Sequence, residues 1–301
     1  MPRPNKPAAA TAAAARYEPA HAKINLSLHV TGKRADGFHL LESLVAFAEF
    51  GDFLSARPAR RISLEISGPF AGGLSSTDNL VTRAARALAQ VLGETRGAAL
   101  HLEKNLPPAS GMGGGSADAA ATLRLLQKLW GKTLPVDERL DLALQLGADV
   151  PVCVAQSPAF MRGIGEDLEL LAPFPALPIV LVNPGVHVAT PDIFRALDYD
   201  PTNAPRPAPE PPAFTSPADM LNWLSQTRNE LTAPAIRLLP EIGHVLEILT
   251  ATKHCNLARM SGSGATCFGL FPNEKTARAA TRTIQKANPS WWVRATKIFP
   301  A

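Results

Sequence analysis

Between Pro107 and Ala121 the chain reads PPASGMGGGSADAAA, with four glycines in the five positions from Gly111 to Gly115 and an alanine-rich run directly behind them. Glycine carries no Cβ, so backbone N–H groups can converge on one ligand, while alanine is the strongest helix former. The pattern predicts a loop that runs straight into a helix N-terminus. The unpaired amides of a first helical turn and the helix dipole favour an anion there, phosphate above all, and Ser116 adds a hydroxyl. A tight turn capped by Ser116 is the plainer alternative, but one or two glycines suffice for a turn and its cap. No lysine follows a glycine as a Walker A loop requires, and Ser116 stands where a dinucleotide fingerprint needs a third glycine. Neither of those signatures is met, so the loop points to phosphate without specifying a reaction.

The rest of the chain must supply the scaffold. Its 301 residues, 46% of them hydrophobic, are enough for a large core divided between two domains. Apolar stretches such as LAPFPALPIVLVNPG are broken by proline or charge before they reach the about 18 residues of a membrane span, so none is expected. Cys153, Cys255 and Cys267 form no CxxC pair, which implies neither a disulfide framework nor a zinc knuckle and fits a cytoplasmic protein. Of the net charge of +4, Arg3, Lys6 and Arg16 supply three within an acid-free arm, leaving +1 for Tyr17 to Ala301. A body so balanced has no broad basic footprint for nucleic acid. Residues 1–20 read as a disordered extension without the apolar core of a secretory signal.

Next, AKINLSLHV alternates strictly, with Ala22, Ile24, Leu26, Leu28 and Val30 on one side and Lys23, Asn25, Ser27 and His29 on the other. This is the pattern of a half-buried strand. Lys23 and Asn25 share its polar face, which serves equally as a solvent face or as the floor of a site. Gly32 and the Asp36-Gly37 pair are turn signals, so Phe38 and His39 emerge on or just after a loop. Strands are expected around 44–57 and 61–67, then a helix from Asn79 to Leu92 capped by Thr77 or Asp78. Helices follow over 116–130 and 137–146, and Asp149 falls between the second helix and an apolar strand, ADVPVCV.

PIVLVNPG reads as another strand, followed by Thr190 and a short helix beginning near Pro191. The prolines crowded between 201 and 217 exclude a helix interior or a central strand and predict an exposed loop. Helices near 218–226, 229–238 and 241–250, a strand entering MSGSGATCFGLF, a helix over 274–287 and a final strand WWVRATKIF complete an α+β pattern. SGSG, Ser261 to Gly264, is a second glycine-rich loop that by itself is indistinguishable from a β-turn.

The lysine-bearing strand, the phosphate loop and the late MSGSGAT loop, in this order, resemble the GHMP kinase superfamily. AKINLSLHVTGKRADGFH, DNLVTRAARAL, LGADVPVC and MSGSGATCF look like its branch that acts on 4-diphosphocytidyl-2-C-methyl-D-erythritol in non-mevalonate isoprenoid biosynthesis. The resemblance runs from about Ala22 to Phe268. It implies a two-lobed fold: an N-terminal ribosomal-protein-S5-like lobe over 21–163 and a C-terminal ferredoxin-like lobe over 164–301 that contains the proline-rich loop 201–217. It also implies ATP as cosubstrate, magnesium, and transfer of a phosphoryl group to the 2-hydroxyl of the acceptor.

By the same resemblance, Lys23 and Asp149 are catalytic, the carboxylate orienting the acceptor hydroxyl or taking its proton while the ammonium keeps it ionised. Asn79, Lys104, Pro107, Ser110, Gly111, Gly113, Gly114, Gly115 and Ser116 bind ATP. Asn25, Phe38, His39 and Thr190 join Asp149 in binding the acceptor, with Phe38 stacking where the family commonly has Tyr. Asn229-Glu230-Leu231 carries Glu where the family commonly has Asp, a change expected to be structural. The magnesium ligands are left open, and a monomer or weak homodimer is expected. Two other readings fit the same loop: a different GHMP small-molecule kinase, and a nucleotide-binding sensor without chemistry. The second sits poorly with a chain that retains both Lys23 and Asp149.

Overall fold

A computed structural model describes residues 15–187, 189–197, 199 and 207–300. The first half contains β1 (Arg16–Asn25), β2 (His29–Lys33), β3 (His39–Ala59), β4 (Ser63–Ser67), α1 (Leu80–Val91) and β5 (Gly97–Glu103). It continues with α2 (Gly114–Trp130), α3 (Val136–Leu146), α4 (Val150–Ala155), β6 (Ala159–Gly163) and β7 (Asp167–Leu170). β8 (Leu177–Asn183) opens the second half, followed by α5 (Thr190–Arg195), α6 (Pro217–Ser225), α7 (Thr232–Leu238) and α8 (Pro240–Ala251). β9 (Leu257–Met260), β10 (Cys267–Leu270), α9 (Glu274–Ala287) and β11 (Trp292–Ile298) complete the chain.

β3 organises the first half. It is 21 residues long and pairs antiparallel with β1, β2, β5 and β6 along its length. α1 and α2 pack on this sheet through small residues: Ala84, Ala85, Ala117 and Ala119 to Ala121 are all buried, which lets the helices lie close to the strands. α2 ends at Gly131, whose left-handed φ of 66° closes the helix without the strain a Cβ would bring.

In the second half the strands run β11-β8-β10-β9 across the sheet, and the chain order is strand, helices, two strands, helix, strand. That order and connectivity are those of a ferredoxin-like lobe. A single pair, Ile298 with Ala48, joins it to β3, so both halves belong to one continuous sheet.

Five expectations need correction. β1 begins at Arg16, so residues 16–20, assigned above to the extension, pair with β3; residues 1–14 lie outside the described residues. Both faces of β1 are buried from Ala22 to Asn25, because its polar face looks into the molecule and not to solvent. ADVPVCV folds as helix α4 despite its valines. Pro151 fits a first helical turn, and burial of the following residues against α2 and α3 outweighs β-propensity. In the proline-rich segment, residues 207–216 form no helix or strand, yet Phe214 is 1% exposed and packs edge-on against Phe174 and Trp223. That segment contributes to the core; residues 201–206 lie outside the described residues. β7 also pairs with β6, so the first lobe's sheet continues beyond Gly163 to Leu170.

Candidate active site

The phosphate loop takes the shape its glycines require. Gly111 and Gly113 have φ of 74° and 60°, in the left-handed region, and Gly113 caps α2, which starts two residues earlier than expected. The first internal helical bond runs from Ala117 N–H to Gly113 O, so the amides of Gly114, Gly115 and Ser116 have no acceptor within the helix. These three residues line a cleft of about 890 Å³, a volume typical of small-molecule sites.

The loop is locked to the SGSG loop from the other half. Ser261 Oγ donates to Gly111 O at 2.8 Å, and Thr266 N–H donates to Ser110 O at 3.1 Å. A Cβ on Gly111 would come within 2.2 Å of Ser261 O, so only glycine allows this approach. Asn229 in turn donates from Nδ2 to Met260 O and Gly262 O, both at 2.8 Å, while Glu230 Oε2 accepts from Val30 N–H at 2.5 Å. The Asn-Glu-Leu segment thus has the structural role expected of it, tying the SGSG loop to β2, which begins at His29 because AKINLSLHV is split into β1 and β2 and is not one continuous strand.

Lys23 and Asp149, 126 positions apart, meet beside the phosphate loop with Nζ donating to Oδ1 at 2.7 Å. The lysine is 4% exposed, its stem against Gly113, and its N–H donates to Met112 O at 2.9 Å. The Asp149 side chain is 38% exposed at the N-terminus of α4 and lines the cleft, where an acceptor can reach it. Asn25 lies two residues along β1. Its Nδ2 donates to Ser43 Oγ at 2.8 Å, which leaves the buried Oδ1 without a donor beside the cleft.

The opposite end of the cleft is aromatic. His39 stacks on Phe194 at 5.0 Å and 20°, and Tyr199 meets it edge-on at 5.7 Å. Desolvation, with Lys33 adding to it, lowers the His39 pKa from its ordinary value, so the imidazole is neutral at pH 7. Phe38 is 58% exposed on the rim, unused by the core. Thr190 Oγ1 and Ser263 Oγ lie 2.8 Å apart, bridging α5 and the SGSG loop in the wall of the cleft.

Of the residues singled out in the sequence, Lys23, Asn25, Phe38, His39, Ser110, Gly111, Gly113, Gly114, Gly115, Ser116, Asp149 and Thr190 all line this one cleft. Asn79, Lys104 and Pro107 do not. Asn79 caps α1, its Oδ1 accepting from Val81 N–H at 2.9 Å in place of the expected Thr77 or Asp78. Lys104 is buried beneath the phosphate loop in ion pairs with Asp52 and Asp118. Sequence reasoning missed Lys33, Phe194, Arg195 and Tyr199, which line the same cleft. For Phe194 and Tyr199 the only available signal was aromatic residues on and just after the short helix that follows Thr190.

A phosphate cradle facing a lysine–aspartate pair, in a cleft contributed to by two α+β lobes, is the arrangement of a small-molecule kinase. Residues 79–157 match the GHMP kinases N terminal domain and residues 212–290 the GHMP kinases C terminal domain. The chain is 49% identical over 93% of its length to 4-diphosphocytidyl-2-C-methyl-D-erythritol kinase of Paramagnetospirillum magneticum, covering 97% of that protein. It is 52% identical to the Ruegeria pomeroyi enzyme of the same name, covering 91% of this chain and 95% of that one. A crystal structure of 4-(cytidine 5'-diphospho)-2C-methyl-D-erythritol kinase superposes with a TM-score of 0.78 at 33% identity, covering 96% of this chain and 100% of that one. Homoserine kinase from Cytophaga hutchinsonii, at 18% identity and a TM-score of 0.69 over 95% of each chain, shares the fold. The chain belongs to the GHMP kinases and, within them, to the 4-diphosphocytidyl-2-C-methyl-D-erythritol kinase family.

Proposed function

We propose that this enzyme transfers the γ-phosphoryl group of ATP to the 2-hydroxyl of 4-diphosphocytidyl-2-C-methyl-D-erythritol. The observation that carries the reading is the Lys23–Asp149 pair, which lies in one cleft with the phosphate cradle and the His39 aromatic cluster. The β- and γ-phosphates lie along the amides of Gly114 to Ser116. The cytosine of the acceptor stacks at the Phe38 and His39 end, and the methylerythritol hydroxyls meet Asn25 and Thr190.

The acceptor oxygen then attacks the γ-phosphorus in line. An oxygen–phosphorus bond forms to the acceptor, the bond to the β-phosphate oxygen breaks, ADP leaves, and the hydroxyl proton passes to the Asp149 carboxylate. Lys23 holds that carboxylate in place through their 2.7 Å ion pair. Because the transition state is loose, orientation of the hydroxyl by this pair contributes alongside proton transfer. Among the described residues no group of three or more His, Cys, Asp or Glu side chains is arranged to hold a metal ion. Magnesium bound with the ATP phosphates would neutralise developing charge, and one or two protein oxygens would be enough to help hold it. The reaction takes place in the cytoplasm on a small soluble substrate, and the division between lobes falls after Leu170, at the end of the first lobe's last strand.

The test is ADP release measured with magnesium-ATP and, in parallel, the cytidylyl acceptor, homoserine and mevalonate. Turnover with the cytidylyl acceptor alone is the expected result. Turnover with one of the other acceptors assigns a different GHMP kinase activity, and ATP binding without turnover on any acceptor assigns a sensor.

A further inference from the structure

Beneath the phosphate loop lies a charged cluster that the reaction above does not use. Asp52 of β3, Lys104 just after β5 and Asp118 of α2 are each less than 5% exposed. Lys104 Nζ donates to Asp52 Oδ2 at 2.5 Å and to Asp118 Oδ2 at 2.7 Å. Asp52 Oδ1 accepts from the N–H groups of Asn105 and Leu106 at 2.5 and 2.8 Å, so both Asp52 oxygens are satisfied as an anion. Asp118 differs. Its Oδ1 is buried and has no donor. The cluster sits directly under the cradle: a Cβ on Gly114 would lie 3.2 Å from Lys104 Nζ and 3.7 Å from Asp52 Oδ2.

Two carboxylates and one ammonium leave one excess negative charge if all are ionised, and burial makes that charge expensive. It would also lie under the amides proposed to receive a polyanion. The donorless Oδ1 is where a proton removes both problems. The remaining charged or titratable neighbours do not compensate: Lys23 is paired with Asp149, burial pushes the Cys153 thiol up to about 12 so that it stays neutral, and Arg83 and Arg86 of α1 are exposed. Consistently, burial first and Asp52 next push the Asp118 carboxyl up to about 7 against the opposing pull of Lys104.

We propose, on the reading that ATP binds at this loop, that Asp52, Lys104 and Asp118 form the buried seat of the phosphate loop and that Asp118 takes up a proton on Oδ1 when the ATP phosphates bind. Asp118 is a positioning residue. The proton replaces an anion with a neutral acid under the triphosphate while Oδ2 keeps its bond to Lys104. Proton uptake on binding raises the Asp118 pKa in the complex, so ATP affinity is greatest at low pH and falls as pH rises through the pKa of the free enzyme. The ionisation of ATP itself is common to every variant and cancels in their difference.

The experiment is calorimetric titration of magnesium-ATP into the full-length protein near pH 7, in two buffers of different ionisation enthalpy, for wild type, Asp118→Asn and Asp118→Ala. Wild type is expected to take up a substantial fraction of a proton more per bound ATP than Asp118→Asn, whose amide mimics the neutral acid. Its ATP affinity should fall with rising pH relative to that of Asp118→Asn, whereas Asp118→Ala, which loses the bond to Lys104, should bind about tenfold more weakly. Equal proton uptake in wild type and Asp118→Asn overturns the proposal. No ATP binding by folded wild type overturns the assignment of the loop to ATP, and the seat with it. Should Asp118→Asn not fold, wild-type infrared difference spectra serve: ATP should add absorption from a protonated buried carboxyl, and its absence overturns the proposal.

Discussion

The two ends of the cleft are built differently. At the phosphate end, backbone of one loop lies against backbone of another, Ser261 and Thr266 bond across them, and Asp52, Lys104 and Asp118 lie buried beneath. At the end proposed for the acceptor the lining groups are side chains, with Phe38 largely exposed and His39 held by ring contacts to Phe194 and Tyr199. A triphosphate is the same in every turnover, and fixed amides suit such a ligand. A cytosine offers a flat ring, which aromatic side chains recognise at low entropic cost. The difference predicts that damage to the phosphate end costs fold and catalysis together, while damage to the acceptor end is confined to the KM of one substrate.

The largest effect is expected where the two ends meet. Asp149→Asn should lower kcat by about 10²- to 10⁴-fold while magnesium-ATP still binds, as calorimetry would register. Loss of ATP binding in that variant would move Asp149 from the acceptor side to the phosphate side. Gly111→Ala comes next. The Cβ meets Ser261 O and the left-handed φ adds strain, so about 1–3 kcal/mol of stability should be lost together with affinity for ATP, visible as a lower Tm and a raised KM. An unchanged Tm would mean that the two loops separate without penalty.

At the acceptor end, Phe38→Ala should raise the KM for the cytidylyl substrate about tenfold, with Tm and the KM for ATP unaltered, since the ring is exposed and its loss costs only stacking. A fall in Tm would make Phe38 a packing residue. Smaller still is the effect of Lys33→Ala on His39. Removing the ammonium leaves desolvation alone to lower the His39 pKa, so its titration, followed by NMR, should move up toward the ordinary value. A downward shift would contradict the assigned electrostatics.

The contrast also decides what could be read in the sequence. The phosphate cradle was legible because it is local: glycine density, alanine run and helix start occupy consecutive positions. The polar face of β1 was legible from period two, although not that it faces inward, since alternation reports two faces without reporting what covers each. Asp149 was located while its surroundings were misread, because a short apolar run rich in valine has no period that separates a buried helix from a strand. The burial of Lys104 was hidden for a related reason. Its partners come from β3 and α2, and nothing near position 104 announces two carboxylates 52 positions before and 14 after it. Phe194 and Tyr199 likewise reach His39 only through the tertiary fold.

The most direct test of the central claim is phosphorus-31 NMR of the full reaction, with magnesium-ATP and 4-diphosphocytidyl-2-C-methyl-D-erythritol in the presence of the enzyme. A new phosphomonoester resonance, rising in step with ADP and showing no proton coupling because the 2-carbon is tertiary, is the predicted result. ADP appearing with inorganic phosphate, or a phosphomonoester split by a carbinol proton, would contradict transfer to the 2-hydroxyl.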